Sequence, residues 1–192
     1  MFDIVVSLIG LVFLFPLFLI IAVTIKVDSV GTVFFRQVRV GQFSKSFKIF
    51  KFRTMVSQAE KLGAQVSSAD DPRITRIGGI LRKYKLDELP QLINVFKGEM
   101  SFVGPRPEVP RYVAAFQADY QEILTVKPGI TDFASLEFKD ENELLQHAED
   151  PERKYLEEIL PVKIRYYKKY LKEQSIMTDL TLILKTLWKI IH

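Results

Sequence analysis

Asp87 and Glu88 stand side by side in a run of cations, with Arg82, Lys83 and Lys85 before them and Lys97 and Arg106 after. Such a carboxylate, near positive charge and helical N–H groups, is expected to have a lowered pKa and to stay ionised. An ionised carboxylate is a poor general acid, a reasonable nucleophile toward phosphorus and a good Mg²⁺ ligand. Neighbouring side chains diverge on a helix, so this pair cannot flank a glycosidic bond as glycosidase carboxylates do. The residue types therefore point to phosphoryl transfer, with cations on phosphate oxygens and a metal to offset charge. A plainer reading stands beside this one: Asp87-Glu88-Leu89-Pro90 is also an ordinary helix start.

Other cations suit the same chemistry. Arg106 lies between Pro105 and Pro107, which hold it in an extended conformation fit for bidentate phosphate recognition or for an exposed turn. Lys48, Lys51 and Arg53 fall on or just beyond a predicted strand, as phosphate contacts or as a solvated face. Other chemistries lack parts. No cysteine occurs among the 192 residues, which excludes disulfides, Cys-ligated zinc, Fe–S clusters and thiol catalysis. His147 and His192, the last residue, are the only histidines, which leaves almost nothing from which to build a Ser-His-Asp triad or a His-rich metal site. No P-loop, dinucleotide fingerprint or zinc-protease pattern is present.

These residues must be positioned by about one domain's worth of chain. At 48 % apolar and 26 % charged, the chain has material for a core and is not disordered. The net charge of +4 is uneven: residues 26–56 carry seven Lys or Arg against one Asp, whereas 112–192 carry eleven against fourteen acids. A basic N-terminal half suits an anionic partner. Val33–Val40 and Ser46–Phe52 alternate apolar with basic or polar residues and predict a β-hairpin. Helices are expected over Thr54–Gly63 and Ile77–Lys85, with a weak point at Gly78-Gly79, and again from Asp87. Ser67–Pro72, Gly98–Pro107 and Lys127–Ile130 read as loops or turns. Beyond Lys139 the chain is acidic, then helical, with breaks at Pro151 and Pro161. Its tyrosines (155, 166, 167, 170) interleave with Lys163, Arg165, Lys168 and Lys169 as a packing or membrane-interface surface of no evident chemistry.

Ile4–Ile25 contains no charge and no polar face, and its 22 residues make a helix of about 33 Å, enough for a bilayer core of about 30 Å. No basic stretch precedes it and no small-residue cleavage site follows, which argues against a signal peptide. Pro16 predicts a kink or break near residues 12–16. Either the helix spans, with the basic body cytoplasmic and the N-terminus outside, or it bends at Pro16 and returns. Thr178–His192 has a narrow polar stripe (Thr178, Thr181, Lys185, Lys189, His192) on an otherwise apolar helix with Trp188. It fits an in-plane interfacial helix or one packed on the core.

Several segments resemble the bacterial sugar transferases, the monotopic phosphoglycosyl transferases that act on polyprenol phosphate. They are the apolar segment with Pro16, VFFRQVRVG (33–41), KIFKFRTM (48–55), the run 71–108 that contains KLDELPQ and GPRPE, and KPGIT (127–131). The resemblance implies a mixed α/β, helix-rich fold. Residues 1–26 would form a re-entrant helix broken at Pro16, and residues 27–192 a cytoplasmic catalytic domain with a small antiparallel hairpin and an interfacial helix at about 178–191. It implies Asp87 as nucleophile, Glu88 as its partner acid, Mg²⁺ held by the pair, and Arg82, Arg106, Lys51 and Arg53 as phosphate or nucleotide contacts, with Pro105 and Pro107 framing Arg106. A UDP-sugar would be the donor and undecaprenyl phosphate the acceptor, at the cytoplasmic face of the bacterial inner membrane. Membrane lipids are expected partners, nucleic acid is not, and a homo-oligomer is allowed. The chain departs from the family pattern in three places. Phe15 stands where many members have Ser, basic residues before the apolar segment are missing, and the aromatic after KPGIT is displaced to Phe133 behind Asp132. The rival reading is a non-catalytic membrane scaffold that binds anionic lipid through the basic face and needs neither acid.

Overall fold

The computed structural model describes residues 2–59, 71–138, 144–145 and 148–191. An apolar helix, α1 (Phe2–Asp28), leads into a hairpin of β1 (Phe34–Val40) and β2 (Ser46–Phe52). Then follow α2 (Arg76–Lys83), a 3₁₀ turn (Leu86–Glu88), α3 (Gln91–Phe96) and β3 (Ser101–Val103). Next come α4 (Pro110–Ala115), α5 (Gln117–Ile123), β4 (Gly129–Thr131) and α6 (Phe133–Glu137). The helical C-terminal part comprises α7 (Pro151–Lys154), α8 (Leu160–Glu173) and α9 (Ile176–Ile191). The fold is helix-rich with an antiparallel hairpin, as the sequence predicts.

The hairpin pairs Phe35 with Lys51, Gln37 with Ile49 and Arg39 with Phe47. Alternation places these six side chains on one face. Phe47 and Ile49 pack there on Val95 and Met100 around α3, leaving Lys51 and Arg39 beside them. On the opposite face Phe52 meets Ile21 and Ile25 of α1 and Leu81 of α2. Asn94 ties α3 to the β2 backbone: its Oδ1 accepts from Phe50 N at 2.9 Å and its Nδ2 donates to Lys48 O at 2.9 Å. A larger core joins α4, α5, α6, the turn at Tyr155–Ile159 and α8 around Tyr112, Tyr120, Ala134, Tyr155, Leu160 and Tyr167.

Several local expectations are corrected. Thr54–Gln58 is not helical; Thr54 O accepts from Thr75 N at 3.0 Å and Val56 N donates to Arg73 O at 2.9 Å, so these backbone groups are committed to an isolated antiparallel bridge between Met55 and Ile74. The remainder of that predicted helix, 60–63, lies outside the described residues, as do residues 67–70 of the predicted loop and His147 and His192. Gly78 is no weak point: a Cβ there would lie 2.0 Å from Thr54 O, so glycine lets α2 sit on this segment. The KPGIT turn runs straight into β4, which pairs in parallel with β3, and Gly129 approaches Gly104 so closely that a Cβ would come within 2.1 Å of its N. Pro151 and Pro161 do not break the C-terminal helix. Pro151 opens it, and a π-type turn at Tyr155–Ile159 carries it past Pro161, which has no N–H to donate.

Of the kink or break expected at Pro16, a break is absent: α1 runs through it. Proline removes only the bond that residue 16 would donate to Val12, and packing of Leu17, Phe18 and Ile21 beside it supports the next turn. α1 is long and apolar enough to cross a membrane. Yet it lies along the body. Its Ser7, Ile21 and Ile25 are buried, Gly10 faces Leu92 of α3, and Asp3 is close enough to feel Tyr170 and Asp179 at the other end. Its outer face exposes Val5, Leu8, Ile9, Val12, Phe13, Phe15, Leu19 and Ile20. α9 likewise exposes Leu180, Leu184, Leu187 and Trp188 while burying Leu182; Lys189 of the predicted polar stripe turns inward onto Leu136 O.

Candidate active site

α2 ends at Tyr84, and Lys85 takes a left-handed conformation (φ 54°) that turns the chain into the Leu86–Glu88 turn. Thus the two acids sit on a tight turn between α2 and α3 rather than on a helix. Their side chains go to different places. Glu88 Oε1 accepts from Lys51 Nζ at 2.6 Å and from Arg106 Nη2 at 2.5 Å, while its Oε2 faces Arg106 Nη1 at 3.3 Å. This is a bidentate guanidinium–carboxylate fork with a lysine added. Asp87 is 7 % exposed, and among the described residues no group donates a hydrogen bond to its carboxylate.

The electrostatics diverge accordingly. Burial alone would raise the Glu88 pKa, but the charges and hydrogen bonds of Arg106 and Lys51 outweigh it and hold Glu88 well below the usual range. Asp87 shifts the other way, against the expectation of a lowered value. Burial raises its pKa and the Glu88 charge adds to the rise, opposed by Lys51, Arg82 and Lys85. Sequence proximity to cations did not distinguish the acid that touches them from the one that only senses them. Burial also lowers the pKa of Lys51, with Glu88 pulling it back up.

The other predicted residues distribute around one cleft of about 1420 Å³ whose walls include Lys51, Arg82, Asp87, Glu88 and Arg106. Arg82 donates from Nε to Thr54 Oγ1 at 2.9 Å and its charge is felt at Asp87. Pro105 and Pro107 are buried on either side of Arg106. Gly129 N donates to Pro105 O at 3.0 Å and Val40 N to Glu108 O at 3.0 Å, so the arginine's backbone is fixed at both ends. Arg53 also lies along the cleft, but its guanidinium is engaged elsewhere. It donates to Ser29 O at 2.7 Å, to Val30 O and to Ser57 Oγ, tying the end of α1 to the end of β2. Its role here is to cap the helix.

Sequence reasoning missed three polar groups lining this cleft, two of them buried and Arg39 partly so. Glu108 directly follows the Pro-Arg-Pro motif, Arg39 shares the Lys51 face of the hairpin, and Lys163 is 4 % exposed in α8. The period-2 pattern of β1 was a usable signal for Arg39. Asp132, which displaces the expected aromatic, caps α6: its Oδ1 accepts from Ser135 N at 2.8 Å.

Comparison with known proteins gives this geometry a family. The family model described as bacterial sugar transferase matches residues 1–192. The chain is 37 % identical over 188 residues to the UDP-N-acetylgalactosamine-undecaprenyl-phosphate N-acetylgalactosaminephosphotransferase of Aeromonas hydrophila, covering 96 % of this chain and 41 % of that protein. It is 34 % identical over 196 residues to the UDP-glucose:undecaprenyl-phosphate glucose-1-phosphate transferase of Escherichia coli (strain K12), covering 97 % and 39 %. With the exopolysaccharide production protein ExoY of Sinorhizobium fredii (strain NBRC 101917 / NGR234) it shares 29 % identity over 201 residues, covering 97 % and 82 %. The chain thus spans about two fifths of the first two relatives' length and most of the third. On the full-length match and on the acid pair, cationic hairpin and Pro-Arg-Pro strap that it brings together, the chain belongs to the bacterial sugar transferase family.

Proposed function

We propose that the protein is a phosphoglycosyl transferase that moves a sugar 1-phosphate from a UDP-sugar to undecaprenyl phosphate, a first membrane step of glycoconjugate assembly. The carrying observation is the division of labour in the acid pair. Glu88 is locked as a counter-ion by Arg106 and Lys51, while Asp87 faces the same cleft buried, its carboxylate accepting no hydrogen bond among the described residues. A desolvated carboxylate with a raised pKa is a stronger nucleophile than a solvated one.

In this reading an Asp87 oxygen attacks the β-phosphorus of the donor. The bond from that phosphorus to the bridging oxygen breaks, and UMP leaves with the electron pair. The aspartyl phosphosugar is then attacked at phosphorus by a phosphate oxygen of undecaprenyl phosphate. The aspartyl P–O bond breaks, the diphospholipid sugar departs, and Asp87 returns as a carboxylate. Arg106 and Lys51, already at Glu88, and Arg82, whose charge reaches Asp87, neutralise the phosphate oxygens through both steps.

The family implies Mg²⁺, an ion that takes one or two carboxylates and completes its shell with substrate phosphates and water. The Asp87 carboxylate, which accepts no hydrogen bond among the described residues, fits that role; Glu88, with both oxygens in ion pairs, fits it less well. When bound, the ion offsets the negative charge of the diphosphate.

The outer faces of α1 and α9 provide apolar surface for the bilayer. Because both ends of α1 meet the body, we place the helix in one leaflet with both ends on the cytoplasmic side of the inner membrane. The chain has no cysteine, so Phe2→Cys offers a unique label. In right-side-out vesicles a membrane-impermeant maleimide is expected to react only after the membrane is opened. Labelling of sealed vesicles would establish a spanning helix.

The chemistry is tested by UMP release from a panel of UDP-sugars with Mg²⁺ and undecaprenyl phosphate, for wild type and Asp87→Asn. Wild type should release UMP and keep labelled sugar phosphate on the protein before acceptor is added; the variant should do neither. Equal release by both proteins rules out Asp87 as nucleophile, and release without labelling favours direct attack by the lipid phosphate.

A further inference from the structure

Three buried polar side chains, Glu108, Tyr155 and Lys163, and the partly buried Arg39 hold the segment that follows Arg106. Glu108 is 4 % exposed, and its Oε1 accepts from Tyr155 Oη at 2.7 Å. Its other oxygen faces Arg39 Nη1 at 3.6 Å. The same Arg39 nitrogen donates to Pro107 O at 3.2 Å, and Nη2 donates to Gln37 Oε1 at 2.7 Å. Lys163 Nζ donates to Tyr155 Oη at 3.4 Å and lies 5.0 Å from the ring centroid. A chain of contacts therefore runs from α8 through Tyr155 and Glu108 to Arg39 on the hairpin, holding the Pro107–Glu108 peptide that follows Arg106.

Two features single out this chain of contacts. Burying a carboxylate and three potential cations or donors is unfavourable unless each meets a partner, and an apolar set of the same volume is often as stable. A plain core would not require it. Moreover, Tyr155 opens the π-type turn in an otherwise regular helix. Such a turn adds a residue to the helical circuit and re-aims the side chains on it, here directing Tyr155 onto Glu108.

We propose that Glu108, with Arg39 and Tyr155, is a positioning residue for Arg106. The two partners hold the Pro107–Glu108 peptide and the Glu108 carboxylate, so the arginine backbone cannot pivot and its guanidinium meets Glu88 as a two-point fork. The prolines alone fix φ at residues 105 and 107; they do not fix where the strap lies relative to the acid turn. This inference rests on the phosphoglycosyl transferase reading for its effect on turnover, but the geometric claim can be read without substrate. It assigns a part in the site to the C-terminal half of the chain, where Tyr155 and Lys163 lie.

The test is a double-mutant cycle with Arg106→Lys, which keeps the charge and loses the fork. Glu108→Gln keeps the volume and removes the carboxylate charge; Tyr155→Phe removes one hydroxyl and is the milder variant should Glu108→Gln fail to fold. In the wild-type background Glu108→Gln is expected to lower kcat about 10-fold and Tyr155→Phe about 3-fold, with KM for the UDP-sugar moving less than about 2-fold. In the Arg106→Lys background each loss should shrink to less than about 2-fold. Equal fold losses in both backgrounds, or losses carried by KM alone, overturn the proposal. The same cycle read by thermal unfolding needs no donor. Once Glu108 is changed, Arg106→Lys should shift the melting temperature less than it does in wild type, and additive shifts overturn the positioning role. An inactive wild type with a non-additive unfolding cycle would sink the transferase reading and leave the strap standing.

Discussion

Residues 33–108 and 109–189 divide the work unequally. The first region carries Lys51, Arg82, Asp87, Glu88 and Arg106 on short strands, a 3₁₀ turn and a proline-framed loop. The second holds a large tyrosine-rich apolar core, and two of the groups it sends toward the site, Tyr155 and Lys163, connect to the Arg106 strap through Glu108. Short elements present charges at chosen angles but bury little surface. The long helix at 151–173 buries much surface but presents few charges to the cleft. The reacting groups are thus held by ion pairs and straps, and the framework by packing.

This contrast predicts that damage separates by region. The largest effect belongs to Asp87→Asn, which should reduce UMP release by at least about 10³-fold because the nucleophile is gone. Stability should rise. The folded state raises the Asp87 pKa, so at pH 7 the wild type holds a buried charge that it favours losing. Asparagine removes that penalty, and the advantage should vanish as pH falls through the raised Asp87 pKa, where the wild type becomes neutral too. Unfolding of both proteins between neutral pH and the carboxylate range checks the sign; a variant less stable at pH 7 contradicts it.

In the other region, Leu160→Ala should do the reverse. Leu160 is fully buried in the tyrosine-rich core, and its truncation leaves a cavity costing about 3 kcal/mol. Activity per folded molecule should stay within about 2-fold of wild type, since Leu160 touches no cleft charge. A large loss of kcat in folded Leu160→Ala protein would show that packing and chemistry are not separable here.

Glu88→Gln is where the contrast should blur. Removing this carboxylate leaves Lys51 and Arg106 facing each other without their counter-ion, at a cost of roughly 3 kcal/mol for a largely buried cluster. Activity should fall about 100-fold, through loss of the charge arrangement rather than of the nucleophile. The Glu88 contribution to stability is present above the ordinary Glu pKa and is lost only as pH drops through its depressed folded value. Acid unfolding of Glu88→Gln should therefore be less steep than that of wild type.

The site's composition was legible in the sequence, and its wiring was not. Residue type and proximity in sequence associated Arg106 with Asp87 and Glu88, the family resemblance added Lys51, and the alternation in 33–40 and 46–52 identified the hairpin correctly. Nothing local showed that Arg53 turns to the end of α1, or that Asp87 is buried while Glu88 takes the ion pairs, because both depend on partners 18 to 37 residues away. Nor did local propensity identify 54–58, where the helix-like pattern yields to strand pairing with 73–75. Pro16 and Pro161 were expected to interrupt helices, but the first is carried through by packing against α2 and β2, and the second by a widened turn.

The smallest expected effect comes from two adjacent glycines in α2. Gly78 lies against the Thr54 backbone, and a Cβ placed 2.0 Å from that carbonyl oxygen forces α2 off the strand. Arg82, about one turn further along the same helix, would lose its Thr54 Oγ1 bond, so Gly78→Ala should cost both stability and turnover. At Gly79 nothing lies within 4 Å of an added Cβ. There alanine restricts the unfolded chain and favours the helix, for a gain of about 0.5–1 kcal/mol. Thermal unfolding of the two variants side by side decides the matter. A stabilised Gly79→Ala with unchanged UMP release shows that helix propensity and site geometry are independent on the outer face of α2. If Gly79→Ala slowed turnover, α2 itself would have to move during the reaction, and the helix carrying Arg82 would belong with the moving parts of the site rather than with its frame.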